Sequence, residues 1–160
     1  MALYLVGRSW TMELEISRTH RPTKRVAMRL EVRRITDLAL RSVLSLAEEA
    51  RDEPTRGASL AAKLGTTTSY LPQVMRPLVR AGWVSSDPGP RGGYILTADP
   101  QSITLLMLIE AMEGPTRDDR CVLRGTPCPA VDACAMHEAW SRAREALLGE
   151  LGQTSLAGLS

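Results

Sequence analysis

Phenylalanine is absent from this 160-residue chain, and three tryptophans and three tyrosines are its only aromatic residues. The core must therefore be built from Leu, Ala, Val, Ile and Met, a composition that favours helices. Long apolar runs are missing as well. None approaches the roughly 18–20 residues of a membrane-spanning helix. The opening MALYLVGRSW has an apolar run too short for a signal-peptide core, with no basic region before it. These absences predict a cytoplasmic protein with no membrane partner. Charge of one sign is also lacking: the net charge is +2, too little by itself to argue for nucleic acid.

Cysteine is scarce, yet its placement is not random. All three cysteines and one of the two histidines fall in CVLRGTPCPAVDACAMH, residues 121–137, with the spacing C-x6-C-x5-C-x2-H. In a reducing compartment clustered cysteines are metal or redox ligands more often than disulfides, and an odd count weakens the disulfide reading further. Thiolates suit both iron–sulfur clusters and zinc. A Cys3His set fits zinc, although the short C-x2–4-C knuckle is missing. Unligated thiols that react with oxidants are the third reading. Gly125, Pro127 and Pro129 mark the segment as loop. Arg120 and Arg124 flank Cys121 and should favour its thiolate.

The charge is unevenly spread. Residues 1–27 carry five basic and two acidic side chains, residues 28–114 ten of each, and residues 115–160 five basic and six acidic. From Thr55 to Gly93, Arg56, Lys63, Arg76, Arg80 and Arg91 stand against Asp87 alone. Such a local basic patch suits phosphates better than total charge does.

Periodicity supplies the frame. Ile35, Leu38, Ala39, Ser42, Leu46 and Ala50 recur at helical spacing and predict a helix from about residue 32. A short helix is expected near 57–64, stopped at Gly65. A third, YLPQVMRPLVRAG, follows the hydroxyl-rich TTTS and buries Leu71, Val74, Met75, Leu78 and Val79. Pro77 should bend it. Two helices joined by a short Gly-containing turn form a helix-turn-helix. WVSSDPGPRGGYILT reads as a two-stranded hairpin with Arg91 at its tip. SITLLMLIEAMEG predicts another helix, capped by Ser102 or Thr104. A last one, from about Ala133 to Leu151, carries the apolar stripe Met136, Trp140, Ala143, Leu147 and Leu151. That stripe suggests dimerisation, since helix-turn-helix modules usually read two half-sites as symmetric dimers.

This order of parts resembles the Rrf-type winged-helix transcription regulators, a family that includes iron–sulfur assembly regulators and nitric-oxide-sensing repressors. MRLEVRRITDLALRSVLSLAEEA resembles the family's opening helix. SYLPQVMRPLVRAGWVSS resembles its recognition helix and first wing strand, and GPRGGYILT its glycine-rich wing. RCVLRGTPCPAVDACAMHEAW resembles its cluster loop, and TSLAGL its closing motif. The resemblance covers about residues 28–158. It implies a mainly α fold: a winged helix-turn-helix at 28–100, with a small β-hairpin wing, then dimerisation helices at 101–160 holding the cysteine loop. Residues 1–27 would be a disordered arm or a start assigned too early, because family members commonly begin at the methionine matching Met28.

The resemblance also implies function: a homodimeric, non-enzymatic regulator of transcription, usually a repressor, that binds double-stranded promoter DNA. It would sense nitric oxide, iron or cluster supply, or redox state through an iron–sulfur cluster on Cys121, Cys128 and Cys134. The C-x2-H ending resembles members in which a histidine, here His137, completes a 2Fe–2S site. ITDLALR resembles members in which an aspartate, here Asp37, reaches a 4Fe–4S cluster from the other subunit. His137 ranks first, and 2Fe–2S is favoured. Thr68, Ser69, Tyr70 and Gln73 are the expected base or phosphate contacts. Arg76 and Arg80 would hold phosphates, and Arg91 the minor groove or backbone. Tyr70 is alternatively a core residue. A cluster-free regulator with zinc-bound or redox-sensing thiols is the alternative.

Overall fold

The computed structural model describes residues 31–49, 53–89, 92–116, 121, 123–129 and 133–159. Residues 1–27 and Arg91 lie outside these. Val32–Ser160 group into one compact unit.

Helix α1, Arg34–Glu48, turns Thr36, Leu38, Ala39, Ser42, Val43 and Leu46 inward. The Ser42 hydroxyl is fully buried and donates to the Leu38 carbonyl at 2.7 Å, so it costs the core no unpaired polar group. Helix α2, Gly57–Lys63, buries Leu60 and Ala61, and Leu64 follows them into the core. Gly65 then takes φ +62°, a left-handed conformation that suits glycine and turns the chain toward the next helix.

Helix α3, Leu71–Arg80, buries Leu71, Val74, Met75 and Leu78 against α1. Each such fully buried side chain stabilises the fold by roughly 1.5–3 kcal/mol. The expected hydroxyl cap lies one turn upstream of the helix: Thr67 Oγ1 accepts from the Tyr70 N–H at 3.2 Å. Proline 77 is inside α3. Its missing N–H removes the helical donor of the carbonyl of Gln73, an exposed residue.

Strands β1, Val84–Asp87, and β2, Gly93–Leu96, pair antiparallel from Val84↔Leu96 to Asp87↔Gly93. Thr55 adds a bridge on the far side of β2, exchanging both backbone hydrogen bonds with Tyr94. Gly93 permits this approach, since a Cβ there would overlap the Thr55 carbonyl. The bridge ties the segment before α2 to the wing.

Helix α4, Leu105–Glu113, is capped by Thr104, whose hydroxyl accepts from the Met107 N–H at 3.2 Å. Leu108 and Met112 join the core beside α1. Helix α5, His137–Gln153, buries no residue fully. The closing turn Leu156–Leu159 returns to the core: Leu156 is fully buried, and its N–H donates to the Ile103 carbonyl. Among the described residues no helix is long and apolar enough to cross a membrane.

Candidate metal-binding loop and nucleic-acid face

The cysteine segment leaves α4 through a grip of hydrogen bonds. The Thr116 N–H donates to Glu110 Oε1 at 3.0 Å, and the Thr116 hydroxyl donates to the same oxygen. These two bonds hold the Glu110 carboxyl below its ordinary pKa, hydroxyl first, despite slight burial. Further on, the chain folds back at Cys121. The Gly125 N–H donates to the Cys121 carbonyl and the Cys121 N–H to the Thr126 carbonyl, with Gly125 at φ +70°. Three residues before α5 begins, the Cys134 carbonyl accepts from the His137 N–H at 2.9 Å.

The outcome is convergence. The Sγ atoms of Cys121, Cys128 and Cys134 all lie within 4.8 Å of one another, and Cys121 and Cys134 are 3.4 Å apart. All three are free thiols, half-buried. The Cys121 thiol is pulled down to about 7. The Arg124 backbone N–H contributes most; burial opposes it, and the Cys128 thiol, the Leu123 N–H and the Cys134 thiol assist. The leading local cause is thus a peptide dipole rather than the guanidinium charge expected from the sequence. The Cys134 N–H draws Cys128 the same way, but hydrogen bonding to Cys121, burial and the two neighbouring sulfurs outweigh it, and the Cys128 pKa rises. Three sulfurs this close, one predisposed to ionise, form a donor set that suits a soft metal or cluster.

Neither candidate fourth ligand joins the three sulfurs within the chain. His137 opens α5 and is exposed, and among the described residues the 4.8 Å group contains the cysteines alone. The helix starts four residues later than its periodicity suggests, so Cys134 lies in the preceding turn rather than on a shared helical face with His137. Asp37 is exposed on α1 and pairs with Arg41 at 3.9 Å.

The nucleic-acid candidates fall on the outward side of α3. Thr68, Ser69, Gln73, Arg76 and Arg80 are exposed, and Tyr70 is half-buried and packs on the core. Among the described residues neither Arg76 nor Arg80 has an acidic partner within ion-pair distance. The face therefore presents hydroxyl and amide groups at the start of the helix and cations along it. The opposite face is the buried one, so the helix is positioned by its apolar stripe; Val79, expected in that stripe, is instead 37% exposed.

Two features escaped the sequence reading. Glu113, the last residue of α4, accepts from the Arg33 N–H at 2.9 Å and from the Thr36 hydroxyl at 2.6 Å. It thereby caps α1 across about eighty residues of chain. Arg34, beside that cap, lines a cleft of about 470 Å³ with Gly65, Thr66, Thr67 and Tyr70. Local patterns carry no signal for either, because both partners are remote in sequence.

The chain is similar to known transcriptional regulators. The family described as "Rrf2: Iron-dependent Transcriptional regulator" matches residues 32–160. The HTH-type transcriptional regulator IscR of Klebsiella pneumoniae (strain 342) is 33% identical over 121 residues, 76% of this chain and 74% of that protein. The structure of CymR, the global cysteine regulator of B. subtilis, has a TM-score of 0.66 at 30% identity, covering 82% of this chain and 96% of that one. The IscR of T. potens has a TM-score of 0.60 at 26% identity, covering 82% and 87%.

Proposed function

The chain belongs to the Rrf2 family of transcriptional regulators, and from that premise we propose that it is a homodimeric, cytoplasmic DNA-binding repressor controlled by an iron–sulfur cluster. The observation that carries the reading is the convergence of the three sulfurs within 4.8 Å on a loop between α4 and α5. Cys121, Cys128 and Cys134 hold the cluster, 2Fe–2S in preference to 4Fe–4S. His137, one turn from Cys134, is the preferred fourth ligand, with Asp37 of the partner subunit second. When bound, the cluster supplies one-electron redox chemistry and reactivity toward nitric oxide or oxidants. It ties the signal to nitric oxide, iron or cluster supply, or redox state.

The chain's own residues do the rest. Thr68, Ser69, Tyr70 and Gln73 meet base edges or nearby phosphates, Arg76 and Arg80 hold phosphates, and Arg91 reaches out from the wing. The exposed apolar stripe of α5 pairs two copies. Their reading heads must match half-sites about 34–36 Å apart or a multiple of that. The loop from Cys121 to His137 joins α4, packed on the head, to α5, which sets the pairing. A change in what the thiolates hold alters this joint, hence head spacing and DNA affinity. Gel shifts on the chain's own promoter test this: cluster-loaded, cluster-free and nitrosylated forms should differ in affinity, and equal binding by all three contradicts the switch.

One observation favours a second reading. The 3.4 Å approach of the Cys121 and Cys134 sulfurs, with Cys121 inclined to ionise, also suits a cluster-free regulator whose thiols bind zinc or respond directly to oxidant. Metal content separates the two.

A further inference from the structure

The recognition helix is not the only cationic element at the reading end of the head. Arg34 opens α1, over thirty residues before the turn it faces, and lines a cleft with Gly65, Thr66, Thr67 and Tyr70. Thr66 and Thr67 lead directly into Thr68 and Ser69, the exposed start of the recognition segment. Thr67 is held in place by two contacts: its Oγ1 accepts from the Tyr70 N–H and lies 3.1 Å from the Ser69 hydroxyl. The start of α1, which carries Arg34, is anchored from the other side, because Glu113 accepts from the Arg33 N–H and the Thr36 hydroxyl. Glu113 is thus engaged by these two donors, and the Arg34 guanidinium has no acidic partner among the described residues.

We propose that Arg34 and the Thr66–Thr67 turn form a DNA-phosphate clamp flanking the recognition helix. This rests on the DNA-binding reading and extends it to a second helix. The cleft is walled by a cation with no acidic partner among the described residues and by hydroxyls, the donor types that grip phosphate oxygens. It is continuous with the start of α3, so a phosphate there belongs to the strand bordering the groove that α3 enters. Arg34 and the turn's outer residues are solvent-exposed, which suits the side of a duplex better than an enclosed free ion. A phosphate contact positions the protein without reading sequence. The clamp should therefore act equally on every duplex.

The test uses the full chain, purified anaerobically, and a pool of random-sequence 30-bp duplexes, with affinity measured by fluorescence anisotropy against salt. Each phosphate neutralised contributes about 0.9 to the slope of log K against log salt. Arg34→Ala and Arg34→Gln should each flatten the slope by about 1.8 for a dimer bringing two clamps to one duplex. Arg34→Lys should keep most of it. Arg142→Ala, which removes an exposed cation paired with Glu138 on α5, should leave the slope unchanged. Thermal melts of each variant establish that it is folded, and if Ala fails to fold, the contrast of Gln with Lys decides. An unchanged slope in Arg34→Gln overturns the clamp while leaving DNA binding intact. Equal flattening by Arg142→Ala overturns it too, since net charge alone is then responsible. No binding of any duplex by the wild type removes the DNA-binding reading and the clamp with it. Competition by millimolar inorganic phosphate that is lost in Arg34→Gln, with the DNA slope unaltered, assigns the cleft to a free anion and contradicts the proposal.

Discussion

The reading head and the last helix are held in opposite ways. In the head, α3 is ten residues long and buries four of them, and α1 buries six of fifteen. In α5, seventeen residues bury none; Leu147 stands 45% exposed on its apolar stripe, and Met136, just before the helix, 42%. A helix gains most of its stability from packing an apolar face. The head supplies that internally. The last helix leans on α4 with one side and leaves an apolar stripe uncovered, the condition a second copy would relieve. The contrast separates what the chain folds alone from what it is expected to complete by pairing.

The sharpest way to break that contrast is to truncate one leucine in each region. Leu78→Ala, at a fully buried position, should destabilise the protein by about 2–5 kcal/mol, read from chemical denaturation. Leu147→Ala should cost under about 0.5 kcal/mol in a dilute monomer and instead weaken self-association by sedimentation. If Leu147→Ala unfolds the monomer as Leu78→Ala does, the two regions are not held differently. Between these extremes lies Thr104→Ala, which removes the α4 cap and should cost about 1 kcal/mol. A melt unaltered by it would deny the cap any weight.

Glu113→Gln sharpens the comparison from the head's side. Burial raises the Glu113 carboxyl, but the Thr36 hydroxyl, the Arg33 N–H and the Arg33 charge together lower it from 4.5. A lowered folded value means the ionised form is preferred in the fold. The stability it adds is fully present above pH 4.5 and is lost as pH falls through the folded pKa. The wild type should thus lose stability on acidification in that window by more than Glu113→Gln does. Parallel pH profiles for the two would show that the carboxylate charge contributes nothing. Because the glutamine carbonyl keeps one acceptor, the loss at neutral pH should be smaller than that of Leu78→Ala.

The head was largely legible because its signals are local. The stripe at Ile35, Leu38, Ala39, Ser42 and Leu46 marks α1 to within two residues of Arg34–Glu48. Gly65 and Gly82, both at positive φ, delimit the turns around α3. DPGPRGG begins at Asp87, the last residue of β1, and ends at Gly93, the first of β2. What local pattern does not carry is partnership across the chain. Thr55 looks like loop until Tyr94 lies beside it, and Glu113 looks like a solvated helix end until Arg33 and Thr36 meet it. The onset of α5 differs from its sequence pattern for a related reason. Ala133–Met136 have helical composition, but the chain there turns to bring Cys134 to the other sulfurs, and the helix begins at His137. The three cysteines were readable as a group from spacing, whereas their mutual approach needed the fold.

The measurement that tests the central claim most directly is iron, acid-labile sulfide and zinc content, with visible absorption, on anaerobically purified protein. Wild type should be compared with Cys128→Ala, His137→Ala and Asp37→Ala. The account predicts iron and sulfide with visible absorption in the wild type, loss of both in Cys128→Ala, and an altered spectrum in His137→Ala. Colourless protein with stoichiometric zinc, or with no metal after anaerobic reconstitution, would contradict it and leave a family regulator whose three thiols act without a cluster.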